Sequence, residues 1–551
     1  MFSLHKVTGC LILIGALWVM GWPLKVQAQA LTPPPVPPFG VHIDPNVTPS
    51  DLEALQSLGV GWVRFAVSWA QVEPIPGQGY RWEQYDRPLK ALSSAGLRPI
   101  LIITDVPEWA AQPLPQDDTR KGCGPVRPEA ETAFRDFIQA LVERYGAPPY
   151  NVTYWEIANE PDYIPAAARP LSELNEISLG GCFGLVWRSA YVRHLETAYR
   201  AIKAVQPTST VVIGGLAYDY FYWPERGERG VFDPLFLDVV VGEERALDVA
   251  DALGLHAYSE WAERWAPWGP DIQGKINYVR AQLDAWGYQD KPIVLTEVGR
   301  PSRSPNGPGD YTPQKQAAYV PKVFARVLAV IPKEPLIWYN LRDLPNETAA
   351  FGLLTADGTP KPAFTAYRFA VRQFSGAQHL TSIRQPPPNW EWPLDRVEAY
   401  LYTNDQGPFL VLWATGQEEV TVRIPGDTLQ LWDLFGEPVL ITDGSDGDID
   451  RRVDGMISLG VDASPVYLRG EGIGSLQAQQ SLAAVPPTPT PWPTLTPTPP
   501  TFWERVTIYR PSPLNTLWVP LGLLILSGLL GILTVITMAH AGAPFERRDN
   551  E

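Results

Sequence analysis

The sequence predicts an α/β chain built on a (β/α)8 barrel, a TIM barrel, followed by a small antiparallel β-sandwich, a Pro/Thr-rich stalk and one C-terminal transmembrane helix. Three observations carry this. Eight short, β-branched apolar runs alternate with longer segments of three- and four-residue apolar spacing between residues 39 and 370, the pattern of βαβ units around a parallel sheet. From about residue 376 the spacing changes to strict alternation with no helical stretch. Both ends of the chain carry long uncharged apolar segments.

The expected strands are GVHI from residue 40, GWVRFAV from 61, LRPILII from 97, VTYWEIA from 152, TVVIGGL from 210, ALGLHAY from 252, PIVLTEV from 292 and PLIWYNL from 335. Between them lie amphipathic segments such as 49–59, 128–146 and 191–207. Eight strand-helix units in about 330 residues match a closed barrel with some long loops. A doubly wound open sheet is the competing topology, but no Gly-rich phosphate fingerprint follows the first strand. Runs such as VEAYLYTN, PFLVLWAT and EVTVRIPG then build the β domain, for which packing is a better expected role than glycan binding. The expected boundaries are 1–30 for a signal peptide, 31–375 for the barrel, 376–475 for the β-sandwich, 476–515 for the linker, 516–540 for the membrane helix and 541–551 for a cytoplasmic tail.

The two ends argue for export. Residues 1–30 have Lys6 near the start, an apolar run from Cys10 to Trp22 and small residues suited to cleavage, with an uncleaved anchor helix as the alternative. Leu517 to Ala539 is uncharged over a length sufficient to cross a bilayer, for which about 20 residues suffice. The prolines of AAVPPTPTPWPTLTPTPPT favour an extended stalk on the order of 50 Å. The expected placement is a single-pass membrane protein with residues 31 to about 515 outside the cell.

A formal net charge of −16 argues against nucleic acid, anionic lipid surfaces and polyanionic substrates as partners. The six histidines never fall into a HExxH or other ligand spacing, so a metallohydrolase is not expected. Besides Cys10, the chain has Cys123 and Cys182, in the loops after strands 3 and 4, and a disulfide between them is expected at the cleft rim. The 21 tryptophans include flat apolar surfaces on which sugar rings stack, although most must be core.

Side chains at the C-terminal ends of barrel strands line the active site of such a fold. TYWEIANEPD carries an apolar strand into Asn159, Glu160 and Asp162, and PIVLTEV ends on Glu297. Two carboxylates at the ends of different strands are the minimum apparatus for glycoside hydrolysis, one to protonate the leaving oxygen and one to attack the anomeric carbon. Buried structural ion pairs are the plainer alternative. The other Asn-Glu pairs, Asn175-Glu176 and Asn346-Glu347, do not directly follow a strand.

On WEIANEP and PIVLTEVG, with their glutamates 137 positions apart, the stretch from about 39 to 370 resembles the clan A glycoside hydrolases, especially families 5 and 39. The resemblance extends to GWVRFAVSWAQVEP with Arg64, to LHAY with His256 and Tyr258, and to Trp338. It implies Glu160 as acid/base, Glu297 as nucleophile, retention of configuration, no cofactor, and β-linked or equivalent equatorial sugars as substrates. It further implies an Arg64 pair with Glu297, a Tyr258 hydrogen bond to the same carboxylate, Asn159 on the sugar 2-hydroxyl and Trp338 as a stacking platform. His256 divides between a site and a structural role. Trp109, and less securely Trp69, Trp261, Trp265 and Trp268, are cleft candidates, with His42 weaker still. An inactive barrel that only binds carbohydrate, and a cell-surface transglycosylase, remain alternatives to a hydrolase.

Overall fold

A computed structural model describes residues 36–113, 124–164, 183–219, 232–303, 311–345 and 349–482. The eight expected strands are present as β1 Phe39–Ile43, β2 Trp62–Ser68, β3 Arg98–Thr104, β4 Tyr154–Ile157, β5 Thr210–Leu216, β6 Ala252–Tyr258, β7 Ile293–Gly299 and β8 Leu336–Trp338. They run parallel and close into a barrel, β1 pairing β8 through Phe39 with Leu336 and Val41 with Trp338. The strands are short and rich in Val, Ile and Leu because both faces are buried, one inside the barrel and one under helices.

The helical layer comprises α1 Pro49–Leu58, the single turn α2 Trp69–Val72, α3 Glu83–Ser94, α4 Glu131–Tyr145, α5 Arg188–Val205, α6 Ile272–Ala285, α7 Pro313–Leu328 and α8 Pro362–Phe374. Among its described residues the β5-to-β6 connection has instead a π-helical segment, Leu237–Glu243. Local chemistry sets the helix ends. Thr48 caps α1 through a reciprocal box with Asp51, Pro49 occupies its first turn, and Gly59 ends it at φ 73°.

Pairing register tells which residues face the barrel interior. Glu156 lies opposite Val212, Val212 opposite Ala252, and Gly254 opposite Val294, so these share one side of the sheet. Val212, Ala252 and Val294 form a small interior cluster packed on Tyr154, whereas Trp155, Ile157, Leu253 and Leu295 belong to the core beneath the helices. Strict alternation from Val294 would turn Thr296 inward and Glu297 toward the helices. The register slips at that point: Leu255 pairs Leu295 but His256 pairs Glu297. The extra residue, Thr296, re-aims the next side chain, as bulges beside active sites do.

The second domain is all antiparallel. Its strands are β9 Gln378–Ile383, β10 Val397–Asn404, β11 Gly407–Ala414, β12 Val420–Pro425, β13 Thr428–Trp432, β14 Pro438–Thr442, β15 Met456–Val461 and β16 Val466–Gly470. Six form one sheet in the order β14-β13-β16-β11-β10-β9, and β12 with β15 forms a separate ribbon. Leu401, Leu410, Val422, Ile424, Ile457 and Leu459 join the two in one core, completed by Ile473 and Leu476. Those last two belong to α9, Glu471–Leu482, a helix that overlaps the first residues assigned from sequence to the linker.

The sheet rests on the barrel's outer helices. Tyr402 donates to the Ala325 carbonyl at 2.6 Å, Phe374 meets Tyr402 edge-on, and Arg326 holds Glu398 bidentately while its third nitrogen reaches Asp271 at 2.6 Å. Among the described residues no helix is long and apolar enough to cross a membrane. The expected signal, stalk, transmembrane and tail segments, Cys123 and Cys182 lie outside the described residues, apart from the part of α9 that begins the linker.

Candidate active site

Arg64 organises the C-terminal mouth of the barrel. It is 1% exposed, on the inward face of β2, and all five of its N–H groups are used. Nε and Nη2 grip Glu156 at 2.6 and 3.1 Å, Nη1 reaches Glu297 Oε1 at 2.5 Å and His42 Nδ1 at 3.2 Å, and Nη2 also reaches Asn159 Oδ1 at 2.7 Å. A guanidinium has no acceptor, so His42 Nδ1 carries no proton, and burial with the Arg64 charge holds His42 well below the usual histidine range. Asn159 turns its oxygen to Arg64, which leaves its NH2 group as a donor for a ligand.

Glu297 is held from its other side. Tyr258 donates its phenol O–H to Oε2, and burial keeps that phenol protonated well above its ordinary range. Glu160 is more open, with 15% of its side chain exposed, and its Oε1 lies 3.0 Å from His256 Nδ1. The same nitrogen is 3.5 Å from Glu297 Oε2, so His256 stands between the two carboxyls. One oxygen of each glutamate and one ring nitrogen of His256 all lie within 4.8 Å of one another. That spacing would also suit a cation, but the Glu297 oxygens already accept from Arg64 and Tyr258, and a cation there would face the guanidinium.

Asn159 and Glu160 are adjacent, yet both reach the pocket. On a regular strand they would point to opposite sides. The chain leaves β4 with Ala158 at φ 65° and Glu160 at φ 42°, left-handed conformations that non-glycine residues seldom adopt and that cluster at functional sites. Asp162 helps to fix this turn, its Oδ2 accepting from the N–H groups of Ala217 at 3.0 Å and Tyr218 at 2.8 Å. Its other oxygen is buried without a partner, and burial pushes the carboxyl up to about 8.

Burial likewise sets the Glu160 proton affinity. Its carboxyl is pushed up to about 7, chiefly by loss of water, with the Asp219 and Glu156 charges adding to the rise and Arg64 and Lys275 opposing it. His256 is pushed down to about 4 by burial and is neutral at the same pH. Lys275 lies behind the site, wholly buried, bonded to Asp219 Oδ1 at 2.8 Å and to the His256 carbonyl at 2.6 Å.

Sequence reasoning missed Glu156, Lys275 and Asp219. The signal for Glu156 was a lone charge inside the apolar strand YWEI, which burial requires to be paired. Gly215 was also missed. Its N–H donates to Glu156 Oε1 at 3.0 Å, and a Cβ there would come within 2.1 Å of the His256 ring.

The tryptophans need correction. Trp338 is fully buried, donates to the Phe351 carbonyl and packs on Tyr319 and Tyr367, so it cannot be a sugar platform. The reason is parity. Trp338 pairs with Val41 on the helix-facing side, while the next residue, Tyr339, turns inward against His42 and Tyr258 and is partly exposed. Trp69 and Trp265 are also core. Trp109 is half-buried edge-on to Trp69, with its indole N–H on the Glu73 carbonyl, and Trp268 packs on Tyr278. The side chain of Trp261 lies outside the described residues.

Residues 36–325 match the family model described as Cellulase (glycosyl hydrolase family 5). Among solved structures the chain is similar to a family 39 glycoside hydrolase from the gut symbiont Bacteroides cellulosilyticus WH2, with a TM-score of 0.57 and 20% identity over 79% of this chain and 81% of that one. It is also similar to a monomeric beta-xylosidase from Caulobacter crescentus CB15, with a TM-score of 0.50 and 17% identity over 78% and 94%. At these identities the likeness is one of fold. No curated protein matches the chain in sequence.

Proposed function

This chain belongs to the cellulase family, glycosyl hydrolase family 5, and from that premise we propose a retaining glycosidase that cleaves β-linked extracellular oligo- or polysaccharides by double displacement. The observation that carries the stereochemical part is the separation of Glu160 and Glu297, whose nearest oxygens are within 4.8 Å. Retaining enzymes place their carboxyls about 5–5.5 Å apart, whereas inverting enzymes need about 6.5–9.5 Å to admit a water.

Glu297 attacks the anomeric carbon as its bond to the glycosidic oxygen breaks, and Glu160 gives that oxygen its proton. Arg64 and Tyr258 stabilise the carboxylate charge of Glu297 before attack. In the glycosyl-enzyme that charge is gone. The Arg64 guanidinium, which opposes the raised proton affinity of Glu160, then acts on it less compensated, favouring the carboxylate needed to deprotonate the incoming water. Water attack releases Glu297 and returns the proton to Glu160. Asn159 offers its NH2 to the sugar 2-hydroxyl, a bond that strengthens as charge develops.

The pH dependence follows from the Glu160 value. The acid form does the first step, so kcat/KM for a glycoside with a poor leaving group should fall as pH rises through about 7. In Glu160→Gln that alkaline limb should disappear along with most of the activity. A limb that stays near 7 in this variant would assign it to another group.

Export and anchoring belong to the same reading, supported by the apolar segments at residues 10–22 and 517–539. A chain ending at Thr501 should be released in soluble, active form; fractionation with the membranes would place the anchor elsewhere. Cys123 and Cys182 should resist alkylation in the unreduced exported protein, because an oxidising exterior favours the bridge between neighbouring loops. Labelling of both would sink the pairing.

A further inference from the structure

We propose that Thr296 is a positioning residue for the acid step: its hydroxyl donates to His256 Nε2 and thereby keeps the imidazole proton on Nδ1, which holds one oxygen of Glu160 and leaves the acidic proton on the other. This rests on the glycosidase reading.

Gly215 locates the contact. A Cβ built on that glycine would stand 2.1 Å from His256 Nε2 and 2.5 Å from Thr296 Oγ1, so the ring nitrogen and the hydroxyl flank one point on the bare Cα. The two atoms are then no farther apart than the sum of those distances, within reach of one bridging water at most. Both side chains are buried, Thr296 wholly and His256 at 1% exposure, and neither of these two atoms has another hydrogen-bond partner. Buried polar groups are rarely left so, since each costs about 1–3 kcal/mol. A small turn of the threonine side chain, or one buried water, joins them. The register slip at Thr296 thus serves twice, turning Glu297 to the pocket and setting a hydroxyl beside the ring of His256.

The direction of the bond follows from the other nitrogen. A neutral imidazole has one donor and one acceptor, and the partner of one nitrogen fixes the role of the other. Nδ1 faces two carboxyls, Glu160 at 3.0 Å and Glu297 at 3.5 Å, while Arg64, Glu156 and Lys275 supply the remaining nearby charges from β2, β4 and α6. A proton on Nδ1 meets acceptors on both. A bare Nδ1 would set a lone pair against the Glu297 carboxylate and draw the acidic proton of Glu160 toward the histidine, away from the glycosidic oxygen. The threonine hydroxyl at Nε2 selects the first arrangement. His256 then transfers no proton; it orients Glu160 as acid and, after the first displacement, stabilises its carboxylate as base.

Thr296→Val keeps the branched shape and removes only the hydroxyl, whereas Thr296→Ser keeps the hydroxyl. The test compares phenyl with 2,4-dinitrophenyl β-glycosides of the gluco, xylo and manno series, because only the poorer leaving group needs the acid. General acids contribute about 10²–10⁴-fold, and Thr296→Val should forfeit about tenfold of this in kcat/KM for the phenyl glycoside, with a loss below about threefold for the dinitrophenyl one. Thr296→Ser should restore the difference. No loss, an equal loss on both substrates, or a selective loss that serine does not restore overturns the proposal. The tautomer gives a readout independent of turnover, by 15N NMR of histidine-labelled protein with His256 assigned by its absence in His256→Asn. Wild type should carry the proton on Nδ1, and Thr296→Val should shift it toward Nε2. If no glycoside is turned over, the glycosidase reading fails, and this shift alone decides: its presence supports the role of Thr296 and its absence overturns it. If Thr296→Val does not fold, the wild-type tautomer decides, Nδ1–H upholding the proposal and Nε2–H overturning it.

Discussion

Glu297→Ala is expected to abolish turnover, by on the order of 10^5- to 10^6-fold as when other enzymic nucleophiles are removed, and azide is expected to restore it with inverted configuration. The methyl side chain leaves room beside Arg64 and Tyr258, both of which favour an anion there. Azide in that space attacks the anomeric carbon directly, and one displacement inverts. Glu160→Ala should behave in the opposite sense. Glu297 still attacks an activated aryl glycoside, which hardly needs protonation, and the glycosyl-enzyme accumulates. Azide intercepts it without a general base, and two displacements give net retention. Proton NMR of the glycosyl azides distinguishes the anomers. The same anomer from both variants, or a covalent intermediate in Glu297→Ala, would mean that the two roles are wrongly assigned.

Much of the barrel was legible because its strands are buried on both faces and its connections carry helical periodicity, two signals that survive without tertiary information. The eight strands in the structure overlap the eight runs read from sequence. The two glutamates could be singled out by their place after apolar runs. What sequence could not convey was side-chain direction where the strand geometry departs from regularity. Glu297 faces the pocket only because Thr296 is an extra residue in the β6–β7 pairing, and Glu160 only because Ala158 and Glu160 are left-handed. Neither departure leaves a mark in a single sequence. Trp338 shows the converse. Parity along β8 places Tyr339, not Trp338, on the inward face, and that parity is fixed by the pairing of Gly40 with Ile337. Pairings distant in sequence were illegible for the same reason: nothing in YWEI or IQGKIN shows that Glu156 meets Arg64 or that Lys275 meets Asp219.

The Arg64 cluster makes a second large effect, on stability, that separates holding from chemistry. Arg64 carries one positive charge and faces two carboxylates, Glu156 and Glu297, all three nearly or fully out of water. Glu156 makes two bonds to Arg64 and one to the Gly215 N–H, whereas Glu297 makes one to Arg64 and is oriented for attack. Removing one partner of a buried pair commonly costs about 3–5 kcal/mol, because the remaining charge stays desolvated. Glu156→Gln replaces one acceptor by an NH2 group that must face either the Arg64 donors or the Gly215 N–H, so it should be destabilised by an amount near that range. With about 2 °C per kcal/mol in domains of 150–250 residues and less in larger ones, a fall of roughly 5–10 °C in the melting temperature is expected. Glu297→Gln should melt no lower than wild type, since it relieves the surplus negative charge and leaves the Glu156 fork intact, while losing nearly all activity. Stability withheld for the sake of a charged nucleophile is the trade-off expected of an active site. Differential scanning fluorimetry of the two variants, with aryl glycoside turnover, measures both. An unchanged melting temperature in Glu156→Gln, or a large fall in Glu297→Gln, would show that Glu156 does not hold Arg64 in place and that the division between the two carboxylates is mistaken.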